Sequence, residues 1–139
     1  MRPESPTSVS EPLLRQLLAA ALAVRHRAHA PYSGFPVGAA LLADDGKIYA
    51  GCNVENASYP VGLCAERNAL GQAVARGARR ILAGALVCEG EPVPCGMCLQ
   101  ALSEFADPDA PLLLATPGGQ ERRLRLRDLL PQGFRLRRG

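Results

Sequence analysis

Two short cysteine motifs about thirty residues apart, Cys64-Ala65-Glu66-Arg67 and Pro94-Cys95-Gly96-Met97-Cys98, limit most tightly what this chain can fold into. Three thiols in this arrangement hold one zinc ion only if the fold brings both motifs to one point. Structural zinc sites are usually closed by four protein ligands, whereas three leave room for water, whose pKa the metal pulls from about 15.7 towards about 7. A C-x-x-C pair alone is as often a zinc knuckle or a redox pair, and C-x-E alone means little. Together, each opening a helix after a strand, they predict a catalytic metal site.

The remaining composition fits this reading. At 139 residues the chain has enough apolar sequence, 47%, for one core and one domain over 1–139, with residues 1–9 as a loose leader. Five cysteines, an odd number clustered in motifs, favour metal ligation in a reducing compartment over a disulfide framework. Cys52 and Cys88, outside the motifs, read as buried apolar residues. Arg2, the run Leu17 to Val24 and Ala28-His29-Ala30 imitate a signal peptide, but Arg15, Gln16, Arg25, His26 and Arg27 interrupt the pattern. The expected location is cytoplasmic, with no membrane contact. The formal charge of +3 is concentrated in Arg122, Arg123, Arg125, Arg127, Arg135, Arg137 and Arg138. That segment alternates Arg with Leu like an amphipathic strand and offers one stacking aromatic, Phe134, which argues against nucleic acid as a partner.

Ser10 predicts an N-cap, with Pro12 in the first turn, for a helix reaching about Ala28 whose Leu14, Leu17, Leu18, Ala21 and Leu22 form one stripe. His26 and His29 are expected at the surface or the helix end. Pro31 to Pro36 is a loop. Val37 to Leu42 and Ile48 to Val54 read as a hairpin turning at Asp44-Asp45-Gly46, which delivers Asn53 and Glu55 to its far end. A helix from about Cys64 to Arg76 ends at Gly77, and Ile81 to Cys88 is strand-like. The second motif opens a helix ending near Phe105. Leu112 to Ala115 and Arg122 to Leu126 read as strands, with one last helical turn at Leu126 to Leu130. This order implies a mixed α/β sheet covered by helices.

At a helix start, free N–H groups and the helix dipole favour negative charge, so both motifs assist thiolate formation. Cys95 and Cys98, one turn apart, share a face. Glu66, two residues after a ligand, can lean over the ion without joining it and shuttle a proton from water to a ring nitrogen and then to a leaving amine. Three thiolates leave zinc with a net charge of about −1, which Arg67 can offset by hydrogen bonding to the sulfurs.

Read together, P-Y-S-x-F-P-V-G-A-A-L-L, G-C-N-V-E-N-A-S-Y, C-A-E-R and P-C-G-x-C resemble the successive motifs of the small homotetrameric zinc-dependent cytidine deaminases, from Pro31 to Phe105. The resemblance implies a three-layer α/β/α cytidine-deaminase-like fold with a mixed sheet of about five strands. It also implies one zinc per subunit and hydrolytic deamination of cytidine and 2′-deoxycytidine to the uridines, a step of pyrimidine salvage. By the same resemblance Cys64, Cys95 and Cys98 are the metal ligands and Glu66 the acid/base. Asn53 and Glu55 take the ribose hydroxyls, Phe35 packs on the pyrimidine, and the Ala65 N–H fixes an edge of the base. Tyr59 and Phe134 look like residues that reach a neighbouring subunit's pocket, at active sites on subunit interfaces.

Two positions depart from the family pattern. Leu99 follows Cys98 where the family commonly has Arg, and Asn68 stands where Thr is frequent. The first removes a basic group near an anionic metal site and bears on tuning rather than on reaction class. Two other functions compete: a nucleoside-antibiotic deaminase of the blasticidin type, which shares both cysteine motifs, and a non-catalytic zinc-stapled binding module, which requires a fourth protein ligand. Polynucleotide deaminases usually have His where Cys64 stands and present more basic and aromatic surface.

Overall fold

The structure, a computed structural model, describes residues 9–136. The expected leader over 1–9, apart from Val9, and Arg137 and Arg138 lie outside the described residues. Helix α1 (Glu11–Arg25) begins at Ser10, whose Oγ accepts a hydrogen bond from the Leu13 N–H at 3.3 Å. Strands β1 (Gly38–Ala43) and β2 (Ile48–Cys52) form the expected antiparallel hairpin. Gly46 supplies the positive φ that the turn needs, and the Asp45 carboxylate accepts from the Lys47 N–H. Then follow α2 (Ala65–Ala75), β3 (Ile81–Val87), α3 (Gly96–Ser103), β4 (Pro111–Ala115), β5 (Glu121–Arg125) and the single turn α4 (Leu126–Leu129).

The five strands form one sheet in the order β2-β1-β3-β4-β5. Only β3 and β4 run parallel, so the sheet is mixed, as the element order implies. Both faces are covered. Ala40, Leu42, Ala83, Ala85, Val87 and Leu113 meet Leu14, Leu17 and Ala21 of α1 in one apolar cluster. On the other face Ala39, Leu41, Leu86, Leu112 and Leu114 meet Ala65, Ala69 and Ala73 of α2 and Leu99 and Leu102 of α3. Alternate residues of β1 therefore serve opposite cores, which is why that strand reads as a continuous apolar run. Each fully buried leucine contributes about 1.5–3 kcal/mol by leaving water.

Two glycines set how closely the helices sit. A Cβ on Gly38 would come within 2.0 Å of the Ala21 carbonyl oxygen in α1, and one on Gly51 within 2.5 Å of the Ala69 nitrogen in α2. Both helices rest directly on strand backbone. The outer edge of β2 is closed by side-chain amides of α2: Gln72 Nε2 donates to the Ala50 carbonyl at 2.9 Å and Asn68 Nδ2 to that of Cys52 at 2.9 Å. An edge capped in this way offers fewer free acceptors to another strand.

Some expected boundaries move. Helix α1 stops at Arg25 instead of near Ala28, because the backbone of His29 leaves the helix to pair with the chain beyond β2: its N–H donates to Asn53 O and its carbonyl accepts from Glu55 N. Helix α3 stops at Ser103, short of Phe105. Leu22, placed on the apolar stripe, is 39% exposed, since the stripe that meets the sheet is narrower than its leucines suggest. Cys52, expected in the core, is half-buried on the edge strand, whereas Cys88 is buried. His26 caps the end of α1 and is exposed, as is His29.

Candidate active site

The loop after β2 ends at Cys64, the N-cap of α2, and the loop after β3 ends at Cys95, the N-cap of α3. Both cysteines have the extended backbone of an N-cap, and neither sulfur makes a capping hydrogen bond to the N–H groups of its own helix. Cys98 lies in the first turn of α3. The Sγ atoms of Cys64, Cys95 and Cys98 all fall within 4.8 Å of one another, those of Cys95 and Cys98 at 3.4 Å. Tetrahedral Zn–S bonds of about 2.3 Å put sulfurs about 3.8 Å apart, so these three fit a zinc ion. Among the described residues no fourth His, Cys, Asp or Glu joins the group. That is the donor set of an open site rather than of a closed staple.

The electrostatics favour a cation. The Cys64 thiol is pulled down to about 5, first by hydrogen bonding from Cys98, with Arg67 and Cys95 adding to it against the cost of burial. The Cys98 thiol moves up in the same exchange, since it holds the proton that stabilises the Cys64 thiolate. Arg67 Nη2 lies 3.7 Å from the Cys64 sulfur, and its Nε is a buried donor without a partner among the described residues. Leu99 is buried in the apolar core, so it adds nothing to this charge balance.

Glu66 is only 7% exposed, in the first turn of α2. Burial pushes its carboxyl pKa up, and the Cys64 charge pushes the same way. A carboxyl raised in this way holds a proton more readily than a free one and suits the group to proton transfer. The Ala65 N–H, at the first position of α2, has no acceptor available within the helix.

Asn53 and Glu55 both turn towards the loop 31–37. Asn53 Oδ1 accepts from the Val37 N–H at 2.8 Å, and its Nδ2 donates to the Phe35 carbonyl at 2.9 Å. Glu55 Oε1 accepts from the N–H groups of Tyr32 and Ser33, while Oε2 accepts from the Ser33 hydroxyl. These bonds hold the loop that carries Phe35, itself 44% exposed. Tyr59 starts an unforeseen 3-10 turn (Tyr59–Val61) and meets Tyr32 edge-on, with ring centroids 5.9 Å apart. Tyr32, Ser33, Glu55, Asn56, Tyr59 and Gly62 line a cavity of about 300 Å³.

Phe134, 68% exposed, is held through its backbone: Gln100 Nε2 donates to its carbonyl at 2.8 Å and Gln100 Oε1 accepts from its N–H at 3.1 Å. Gln100 and Ser33 are contributors that residue spacing does not reveal; a Gln two residues past the last cysteine and a Ser in a Pro-rich loop are the only hints. The arginines of the last third are largely engaged within the chain. Arg123 pairs with Glu11, Arg125 with Asp128, Arg127 with Asp109, and Arg122 donates to the Pro92 carbonyl ahead of Cys95.

The family described as "Cytidine and deoxycytidylate deaminase zinc-binding region" matches residues 13–113. Among curated proteins, a cytidine deaminase of Sporosarcina psychrophila is 44% identical over 123 residues, covering 87% of this chain and 90% of that one. One from Mycobacterium tuberculosis is 46% identical over 111 residues, covering 78% of this chain and 80% of that one. The crystal structure of cytidine deaminase from Burkholderia pseudomallei superposes with a TM-score of 0.82 at 44% identity, covering 91% of this chain and all of that one.

Proposed function

Because the chain belongs to the cytidine and deoxycytidylate deaminase family, we propose that it removes the amino group of cytidine hydrolytically, with zinc as cofactor, giving uridine and ammonia. The observation that carries this reading is the meeting of three sulfurs within 4.8 Å of one another beside the buried carboxyl of Glu66. When bound, the ion supplies a Lewis acid that makes water a nucleophile near neutral pH.

The chain's own residues do the rest. Cys64, Cys95 and Cys98 hold the ion, and Arg67 balances the excess thiolate charge. Glu66 takes a proton from the attacking water and gives it to the ring nitrogen next to the reacting carbon, then takes the proton of the hydroxyl left on that carbon, which becomes the carbonyl, and gives it to the departing amine. The Ala65 N–H holds one edge of the base and Phe35 packs on its face. Asn53 and Glu55 engage the sugar hydroxyls with the hydrogen-bonding capacity left over from the loop. 2′-Deoxycytidine is a substrate by the same contacts.

The chain acts as a single deaminase domain over 1–139, as a homotetramer in which Tyr59 and Phe134 complete a neighbour's pocket. The exposure of both aromatics supports this. It works in pyrimidine salvage in the cytoplasm. No helix among the described residues is long and apolar enough to cross a membrane.

Zinc content, measured alongside the ultraviolet change on mixing the protein with cytidine, tests the proposal directly. Glu66→Gln is expected to keep one zinc per chain while losing about 10²–10⁴ in kcat, the range of a general acid/base. Full activity in that variant removes Glu66 from the mechanism, and blasticidin turned over faster than cytidine moves the substrate to the antibiotic class.

A further inference from the structure

We infer that Ser33 is a positioning residue for sugar recognition: its hydroxyl orients the Glu55 carboxylate and, through Phe35, ties it to the wall that meets the base. The inference rests on the reading of Glu55 as a sugar-binding group. It goes beyond that reading because Ser33 need not touch the substrate.

Ser33, in an exposed loop, makes three of the four hydrogen bonds that link this loop to Glu55 and Phe35. Its N–H donates to Glu55 Oε1 at 3.1 Å, beside that of Tyr32 at 3.0 Å. Its hydroxyl donates to the other oxygen, Oε2, and in turn accepts from the Phe35 N–H at 3.0 Å. With two N–H groups on Oε1 and a hydroxyl on Oε2, the carboxylate is held at both oxygens and cannot rotate freely. Of the roughly four positions at which a carboxylate accepts hydrogen bonds, three are filled, leaving about one for a ligand hydroxyl. That remaining acceptor belongs to Oε2, the oxygen whose direction the Ser33 hydroxyl sets. The same contact is the leading reason that the Glu55 carboxyl lies below the usual carboxylate range, so the group stays ionised as a strong acceptor. The Phe35 N–H completes the link, since moving Ser33 Oγ disturbs both the carboxylate and the backbone that carries the aromatic ring. Sugar recognition and base packing thus share one hydrogen-bonded unit, with Ser33 as its joint.

The test compares cytidine with 2′,3′-dideoxycytidine, which lacks the hydroxyls that Glu55 would bind, in the zinc-loaded parent and in Ser33→Ala and Ser33→Thr. For cytidine, Ser33→Ala should raise KM about tenfold with kcat within twofold, as expected for a lost hydrogen bond to a charged group. For the dideoxynucleoside the same change should cost less than twofold, and Ser33→Thr, which keeps the hydroxyl, should restore cytidine KM to within about threefold. An equal loss on both nucleosides would make Ser33 a merely structural loop residue, and no loss on cytidine would remove it altogether; either result overturns the inference. A parent that discriminates between the two nucleosides only through residues other than Glu55, shown by an unchanged cytidine KM in Glu55→Gln, overturns the sugar-binding reading itself and this inference with it. Melting temperatures check that the variants fold, and Ser33→Cys carries the same comparison should Ser33→Ala be destabilised.

Discussion

Helix α1 and helices α2 and α3 begin with the same backbone and end that similarity at the side chain. Ser10, Cys64 and Cys95 all sit at N-cap positions with φ of −67°, −71° and −71° and ψ of 151°, 153° and 165°. Ser10 turns its oxygen onto its own helix and satisfies the Leu13 N–H. The two sulfurs leave the N–H groups of their helices uncapped and meet each other and Cys98. A serine cap is worth about 1 kcal/mol, within a range of about 0.5–2. The two site helices forgo that contribution, and their first-turn N–H groups remain directed at whatever negative charge gathers there. Local rules are broken where the chemistry is, and kept where the helix only packs.

The largest expected effect comes from removing a sulfur. Cys95→Ala should leave well under 0.1 zinc per chain by metal analysis and abolish detectable deamination; normal zinc content would mean that the ligand set is wrong. Next, Cys64→Ser should exchange one role for the other. In chelator-treated protein the serine can cap α2, so the metal-free variant should be about 0.5–1 kcal/mol more stable than metal-free parent by urea unfolding, while zinc affinity falls by at least about 100-fold. If that variant gains no stability without metal, the shared backbone geometry does not make the three positions equivalent. The smallest effect belongs to Ser10→Ala, expected to cost about 1 kcal/mol of stability with zinc content and kcat unchanged. Activity lost in Ser10→Ala beyond what unfolding explains would break the separation between packing helix and site helices.

The contrast also explains what could be read from the sequence alone. The cap at Ser10, the turn at Gly46 and the end of α2 at Gly77 are local signals, each set by one residue's conformational or hydrogen-bonding chemistry, and they fall where expected. The convergence of Cys64, Cys95 and Cys98 is legible too, because strand, loop and thiol at a helix start recur twice with the right spacing. Pairings across the chain are not. Nothing near His29 announces that its backbone will leave α1 to join the strand extension at Asn53 and Glu55. Nor does the sequence show that β1 lies between β2 and β3, that Ser33 will grip Glu55, or that Gln100 will hold the backbone of Phe134. Those contacts depend on how elements stack, which no short window of residues encodes.

The bare backbone at Gly51 has a consequence for how this protein can vary. With the Ala69 nitrogen where its Cβ would go, any side chain at position 51 must lift α2 from the sheet, and Cys64 and Glu66 ride on the start of that helix. A library randomised at Gly51 and screened for nucleoside turnover should therefore return glycine almost alone, although the residue touches neither metal nor substrate. Tolerance to mutation here follows the fit between a strand and a helix, and an inventory of reacting groups would miss it.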